Sequence, residues 1–369
     1  MKNYEGKKKI APLHPASAAL LLAGLLGFTI HILSIFYTDF ANLINSTLGA
    51  YLRFILAKIF DILPFSFAEF LLFLSPVIII VTVYLTVKCA KLKGIYVIRA
   101  LSAVLSMAAG VYFCFSVAFA PAYRTTPLGK NLGITQRNVS AEELYEVTLT
   151  VIEELRPLCD KVDFIDDGAS LMPYDIYELS EHLSSSYKDL SKEYSCFQGF
   201  SSKVKPLIIS PIMTYTHISG IYSFFTGEAN LNTNYPDFIN TYTAAHEMAH
   251  QRGIAREDEA NFLAFLVCRN SDSDYIRYCA YMNMYDYLSS ALYSADKELY
   301  KNAWEALPPK AKGEFFAYSN FFDKYRNSKA SEVSDSLNNA YLESQGAEGT
   351  KSYGMVVDLA VSFYLDGHN

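Results

Sequence analysis

The sequence predicts an α+β, mostly helical protein with an N-terminal three-helix transmembrane region (residues 1–121) and a second domain with few strands (residues 122–369). Two observations predict this division. The chain of 369 residues is 51% hydrophobic and only 19% charged, which is apolar for a soluble protein. Its long apolar runs all end by residue 121, whereas the remainder is polar, rich in tyrosine and large enough for its own core.

Each of the three apolar runs has about the length that a membrane-spanning helix needs. The runs cover residues 16–37, 67–87 and 100–121. A signal peptide is an alternative for the first run only, but its apolar part is too long and no small-residue cleavage site is evident. The runs therefore predict a multi-pass protein whose partner is the lipid bilayer.

Lysine and arginine residues predict the orientation, because positively charged loops are retained in the cytoplasm. They cluster before the first run and between the second and third runs: Lys2, Lys7, Lys8, Lys9, Lys88, Lys91, Lys93 and Arg99. The N-terminus is therefore expected in the cytoplasm and residues 122–369 outside it. The net charge of −7, and the lack of a basic cluster near aromatic residues in the polar part, give no indication of nucleic-acid binding.

Residues 38–66, between the first two runs, are apolar at near-helical spacing. This pattern predicts an amphipathic helix that lies at the outer surface or packs on the bundle. A fourth span is the weaker alternative, because Arg53, Lys58 and Asp61 interrupt the run.

The second domain is predicted to begin with a helix, since Ser140 and Glu143 form a capping box ahead of an amphipathic pattern. A short buried strand is expected from Val204, and a second strand from His217 that ends at the turn around Gly227. After residue 241 the pattern is mostly helical. Breaks in it are expected at Gly253, Pro308-Pro309 and Gly346.

The six cysteines form no CxxC pair: Cys89, Cys114, Cys159, Cys196, Cys268 and Cys279. Free, buried thiols are the favoured interpretation. Disulfides among the last four are the alternative if this part of the chain lies in an oxidising compartment.

The stretch "TAAHEMAHQRGIAREDEAN" contains the chemistry of greatest interest. His246 and His250 are four residues apart, so on a helix both imidazoles face one point, with Glu247 beside that face. This HExxH arrangement predicts a Zn²⁺ site in which the histidines are ligands and Glu247 is the general base. The motif alone has a real false-positive rate, so its surroundings must decide.

A third ligand is expected after Gly253, which can end the helix in a left-handed turn. Glu257, Asp258 and Glu259 are the candidates, on a second helix that begins there. Glu257 is favoured because it shares a helical face with Asn261, which would hydrogen-bond a ligand from the second shell. Glu259 is expected to face solvent or to cap the helix; in a simpler interpretation the whole acidic run only caps the helix N-terminus.

The strand from His217 has two interpretations, as an edge strand that pairs with an extended peptide or as an ordinary core strand. His217 itself is expected to be structural or at the surface. Four tyrosines are possible donors to a developing oxyanion, without a basis for choosing among them: Tyr222, Tyr275, Tyr278 and Tyr281.

These residues resemble a family of bacterial membrane proteins, domain-of-unknown-function family 3810, regarded as predicted zinc peptidases of the gluzincin type. The resemblance covers nearly the whole chain, from "LPFSFAEFL" through "AYRTTPLGKNLGI" and "GIYSFFTGEANLN" to "NNAYLESQGAEGTKSYGMVVDL", and its most specific part is "HEMAHQRGIAREDEAN". It implies a zincin-like fold and peptidase chemistry on a peptide or protein substrate. The gluzincin pattern places a glutamate ligand on the second helix, which supports Glu257, although the gap from His250 is short.

The sequence therefore leaves two classes of function. The first is a membrane-anchored zinc peptidase, and the second is a non-catalytic binding or sensing protein on the same fold. Glu247 favours the enzyme, because a structural zinc site has no need of a glutamate there. An intramembrane protease is disfavoured, since the motif lies more than a hundred residues after the last span in a polar segment.

Overall fold

The computed structural model describes residues 13–90, 94–135, 137, 139–166, 168–194, 196–326, 328–346 and 352–367. The described chain is mostly helical, as predicted. Its helices are α1 (Pro15–Phe36), α2 (Thr38–Ile44), α3 (Ala50–Phe60), α4 (Phe67–Ala90), α5 (Gly94–Ala118), α6 (Leu128–Asn131), α7 (Ala141–Leu158), α8 (Ile176–Glu193), α9 (Ser210–Met213), α10 (Asp237–Gln251), α11 (Glu257–Arg269), α12 (Asp274–Ala295), α13 (Lys297–Ala306), α14 (Pro309–Phe322), α15 (Lys329–Ser344) and α16 (Ser352–Leu365). Its strands are β1 (Val204–Pro206), β2 (Gly220–Ser223) and β3 (Glu228–Leu231).

The apolar helices α1 and α5 approach each other closely because glycines line their contact. A Cβ atom on Gly24 would lie 2.7 Å from the Cβ of Ala109, and one on Gly27 would lie 3.0 Å from the Cα of Phe113. Small residues at such contacts let the backbones of membrane helices come together.

α4 presents apolar side chains in all directions. Phe73 is 57% exposed and Ile80 is 67% exposed, and no residue in the most apolar 18-residue window of this helix is buried. An apolar surface of this extent is not typical of a protein in water. In the described residues, four helical stretches are long and apolar enough to cross a membrane: Pro15–Phe36, Thr38–Phe60, Phe67–Lys88 and Gly94–Ala118.

The count of three spans is therefore not confirmed, because residues 38–60 also qualify by length and composition. This stretch is helical, as predicted, with a π-helical turn between α2 and α3. Both of its ends contact the second domain. Asn45 donates a 3.0 Å hydrogen bond to the carbonyl of Gly253, and the Asp61 carboxylate, just after α3, accepts one of 3.0 Å from the N–H of Lys203.

The N-terminal end of α4 is joined to the second domain by two carboxylates. Glu228 of β3 accepts hydrogen bonds of 2.9 Å from the first two backbone N–H groups of α4. In return, Glu69 in the first turn of α4 accepts the N–H groups of Ile208 and Ile209, at 3.1 and 2.8 Å. These contacts fix α4 against the sheet.

The three strands form one sheet in the order β1-β3-β2. β1 runs parallel to β3, with Val204 opposite Ala229, and β2 runs antiparallel to β3, with Ile221 opposite Asn230. β1 and β2 confirm the two predicted strands, although both are shorter than their apolar runs. β3 was not predicted, because its four residues are too short to show a period of two.

The second domain is built around α7, α8, α10, α11, α12 and α16, which bury one large apolar core. The predicted capping box at Ser140 is present, with Glu143 closing it. The predicted breaks also hold: Gly253 and Gly346 have positive φ angles, and α14 begins at Pro309. The described cysteines are free, as favoured: Cys114, Cys159, Cys196, Cys268 and Cys279. Three of them are also buried as expected, whereas Cys114 is half-buried and Cys196 is exposed. The side chain of Cys89 lies outside the described residues.

Candidate metal centre

α10 places the two histidines of the motif on one face. The ring centroids of His246 and His250 are 4.6 Å apart, with the planes nearly perpendicular. The Nδ1 atom of His250 lies 2.7 Å from the carbonyl oxygen of Ile254. Because Nδ1–H donates to that carbonyl, Nε2 is left free to act as a ligand, as in most histidine–metal sites.

The turn after α10 brings α11 back towards the histidines. Gly253 has φ +89°, a left-handed conformation that favours glycine. There is also no room for a side chain there, since a Cβ would collide with the guanidinium of Arg53 and lie 2.8 Å from Asn45. The tight turn that the short gap required is therefore present, and α3 helps to hold it.

α11 begins at Glu257 and presents its carboxylate to both histidines. One oxygen lies 3.2 Å from Nε2 of His246, and the other lies 3.6 Å from Nε2 of His250. One ligand atom from each of the three residues lies within 4.8 Å of the others. Two imidazoles and one carboxylate are the donors expected of a zinc site that keeps an open position.

The three side chains interact strongly with one another. Burial lowers the pKa of His250, but the facing Glu257 carboxylate more than offsets it and the pKa rises to about 9. Burial likewise acts to raise the pKa of Glu257, and the two histidines hold it well below its usual range. A metal ion that binds here has to displace the proton that His250 carries next to the Glu257 carboxylate.

Glu247 is the buried residue beside this triad and is not fully paired. It is 5% exposed, and its Oε2 atom has no hydrogen-bond partner among the described residues. Burial raises the pKa of its carboxyl group, while His246 and His250 lower it and the backbone N–H of Tyr222 donates to it. A buried carboxylate oxygen with no donor of its own is available to accept a proton.

β2 passes directly over Glu247. A Cβ on Gly220 would lie 2.6 Å from its Oε1 atom, so only glycine fits at that point of the strand. β2 is at the end of the strand order, so one of its edges pairs with no other described strand, and the N–H of Tyr222 on β2 donates to Glu247. The structure therefore shows an edge strand, with the exposed side chain of Ile221 on it, and its pairing with a peptide stays a prediction.

Residues 46–361 match the family model described as "Protein of unknown function (DUF3810)". The chain belongs to this family. The match includes α3, α4 and α5 as well as the three converging candidate ligands and Glu247, so the family is confirmed, while its interpretation as a group of zinc peptidases stays a prediction. Comparisons with curated proteins and with solved structures found no match. The description of the DUF3810 family assigns no activity.

The other acidic candidates of this DUF3810 member lie away from the histidines. Glu259 is 4% exposed and accepts hydrogen bonds from the N–H of Leu128 and from Arg256, both at 2.6 Å. The expectation that Glu259 faces solvent or caps its own helix is therefore wrong: it caps α6 instead. Asp258 is buried in the first turn of α11, and burial raises its pKa to about 6.

Asn261 does not have the contact expected of it. It is buried on α11, and its backbone carbonyl accepts the hydroxyl of Tyr242 at 2.6 Å. No hydrogen bond in the described part of the chain joins its side chain to the histidines or to Glu257. The second-shell contact comes from the Ile254 carbonyl, which a single sequence does not reveal.

Three of the four tyrosines considered as oxyanion donors lie in the core. Tyr275 contacts Ser170, Tyr278 donates to Glu314, and Tyr281 packs on Phe265. Tyr222, the fourth, has a buried hydroxyl that finds no hydrogen-bond partner among the described residues, and its ring lies 6.5 Å from that of His250. His217 is structural, as expected: its Nε2 lies 2.9 Å from the carbonyl oxygen of Tyr325.

Two further tyrosines face the site and were missed. The hydroxyls of Tyr123, after α5, and Tyr341, on α15, are 3.4 Å apart. Burial raises the pKa of both phenols, and the charge of Glu257 adds to the effect. With 28 tyrosines in the chain, only their position in the fold distinguishes these two.

Proposed function

We propose that the protein is a membrane-anchored zinc-dependent peptidase. The observation that carries the proposal is the convergence of His246, His250 and Glu257 beside the unpaired carboxylate oxygen of Glu247, under an edge strand. A structural zinc site needs four protein ligands and no base, whereas a hydrolase needs three ligands and a base.

The donor set fits Zn²⁺, with Nε2 atoms from His246 and His250 and an oxygen from Glu257. When bound, the ion supplies Lewis-acid activation of water and of the scissile carbonyl. The buried Glu247 accepts the proton of the attacking water at Oε2 and later returns it to the leaving amine. The hydroxyls of Tyr123 and Tyr341, whose pKa values the charge of Glu257 raises, are the donors for charge that develops on the carbonyl oxygen.

β2 holds the substrate in an extended conformation in this proposal. Its edge pairs with no described strand, and the backbone groups there that Glu247 does not bind are offered to a peptide, which adds as one more strand. The crowding at Gly220 brings this edge close to Glu247, so the bound peptide bond lies near the base. Strand addition gives affinity through the main chain and therefore suits peptide bonds in many sequences.

Residues 38–60 form an interfacial helix rather than a fourth span in this proposal. One face contacts the second domain over its length, while Tyr51 and Ile59 on the other side are 72% and 52% exposed. If residues 38–60 crossed the bilayer, the parts of the second domain that contact them would also have to enter the bilayer. Three spans then place the N-terminus and the loop around residues 88–99 in the cytoplasm, and the candidate metal centre outside.

The proposal is tested with the purified full chain in detergent, loaded with zinc and given a peptide library. We expect one zinc per chain and cleavage of peptide bonds. The Glu247→Gln variant should keep its zinc and lose about 10²–10⁴-fold in rate, because the base is removed and the ligands remain. Glu153→Gln, on the exposed surface of α7, is the matched control and should retain the wild-type rate. Hydrolysis by Glu247→Gln near the wild-type rate would remove Glu247 as the base.

The orientation is tested by labelling single cysteines in intact cells. A cysteine introduced in place of the exposed Ser294 should react with a membrane-impermeant reagent before lysis. If the label requires lysis, the second domain is in the cytoplasm and the proposed orientation is wrong.

A further inference from the structure

The candidate metal centre lies against the outer end of α5. The ring of Phe119, the first residue after this helix, packs edge-on against that of His250 at 5.9 Å and lies 5.4 Å from that of Tyr222. A single layer of side chains therefore separates a candidate ligand from the end of a helix that has the length and apolarity of a membrane span.

The edge strand leads from the base to that same helix end. β2 lies over Glu247 at Gly220, and just beyond its last residue Phe224 packs on Phe115 of α5 at 5.2 Å. At about 3.3 Å per residue the distance from Gly220 to Phe224 is roughly 13 Å along the strand. A peptide paired with β2 would thus extend from the candidate metal centre to the end of α5 within a few residues.

Exposed apolar side chains also lie around α9 and in the segment that joins α3 to α4. Ile208 and Ile212, around the start of α9, are 77% and 73% exposed, and Ile62 after α3 is 82% exposed. The hydrogen bonds from Ile208 and Ile209 to Glu69 place α9 at the outer end of α4. Continuity with the apolar helices identifies the occupant of this surface as the bilayer interface.

We infer that the substrate is a polypeptide anchored in the same membrane by an apolar helix and cut within a few residues of that helix on its outer side. The inference rests on the proposed function and adds the substrate class to it. A chain that leaves the bilayer beside α5 reaches the edge of β2 at once, whereas a soluble chain has to approach a site at the lipid surface.

The test uses the zinc-loaded full chain in lipid vesicles. One mixed-sequence peptide is presented free, and the same peptide is fused to a model transmembrane helix through spacers of about 5, about 15 and about 30 residues. Turnover is measured at saturating substrate, so that the local concentration given by the tether does not set the ratio. Mass spectrometry locates every cut relative to the helix end, and Glu247→Gln serves as the blank.

We expect cuts at a constant, short distance from the helix end in all three fusions, in the spacer when the spacer is long. The saturated turnover of the fusion with the shortest spacer should exceed that of the free peptide by about tenfold or more, since only the anchored chain is positioned along β2. Cuts that follow the peptide sequence instead of the distance from the helix, or equal saturated turnover of free and anchored peptide, would overturn this inference and leave the peptidase intact. If a zinc-loaded chain cuts none of the peptides, the proposed function fails and this inference fails with it.

Discussion

Buried carboxylates occur in two kinds of surroundings in this protein. Glu228 and Glu259 lie where segments of the chain join, and in each case backbone N–H groups of another segment bind the carboxylate. Glu259 also accepts a hydrogen bond from Arg256, at the start of its own helix. Glu247, equally buried, has one oxygen without a donor, and the partners of Glu257 are two histidines. Burial therefore does not separate the carboxylates at these joins from those of the candidate metal centre, whereas the identity and number of their donors does.

The physical reason is the cost of an unpaired buried charge. A carboxylate that loses water and gains few donors has its pKa raised, as burial does to Glu247. For Glu228 and Glu259 the same cost is offset by hydrogen bonds that hold α4 and α6 in place.

Replacing Glu257 by alanine should give the largest effect on the metal. Two histidines alone hold zinc weakly, so zinc and peptidase activity should both be lost while the fold is kept. Metal stoichiometry and far-UV circular dichroism measure the two effects. If Glu257→Ala keeps a full equivalent of zinc, the third ligand is another residue, with Asp258 the next to test.

Glu259→Ala should show the opposite behaviour. Its carboxylate binds the N–H of Leu128 and the guanidinium of Arg256 in a buried position, so its removal should lower the free energy of unfolding by about 2–4 kcal/mol. The folded variant should still bind zinc. Chemical denaturation, with zinc analysis of the native fraction, tests both; loss of zinc without loss of stability would exchange the roles of Glu257 and Glu259.

Glu228→Gln should have a smaller effect, at the attachment of α4. The glutamine keeps one acceptor oxygen for the two N–H groups at the start of the helix, so we expect a loss of about 1–2 kcal/mol without a change in zinc content. Proteolysis at the junction between α4 and the sheet should become faster. An unchanged cleavage pattern and melting temperature would show that this carboxylate does not hold the junction.

Replacing Glu314 by glutamine should give the smallest effect, which we expect to see in the pH dependence of stability. It accepts the N–H of Ser170 and the hydroxyl of Tyr278, yet burial still raises its pKa. A carboxyl group with a raised folded-state pKa binds more protons when folded, so its contribution to stability falls as the pH rises from the unfolded pKa through the folded one. The melting temperature of Glu314→Gln relative to wild type should therefore increase between pH 4 and pH 8. A constant difference would contradict the assigned direction of the shift.

The sequence could predict elements whose signals are local. The capping box at Ser140, the left-handed turn at Gly253 and the start of α11 at Glu257 each depend on a few adjacent residues. The face shared by His246 and His250 follows from helical geometry alone. β3 escaped prediction because four residues carry no usable period, and its place in the sheet depends on pairing with strands on both sides.

What the sequence by itself determined was the division into apolar helices and a polar domain, the family, and the residues of the HExxH motif with Glu257. The tertiary structure alone decided the rest: the hydrogen bond from Leu128 to Glu259, the two tyrosines near Glu257, and the position of the candidate site at the end of α5. The physical reason is the separation along the chain over which each kind of signal acts. Periodicity and capping act within about one or two helical turns, whereas each of these contacts depends on how separate segments pack against one another.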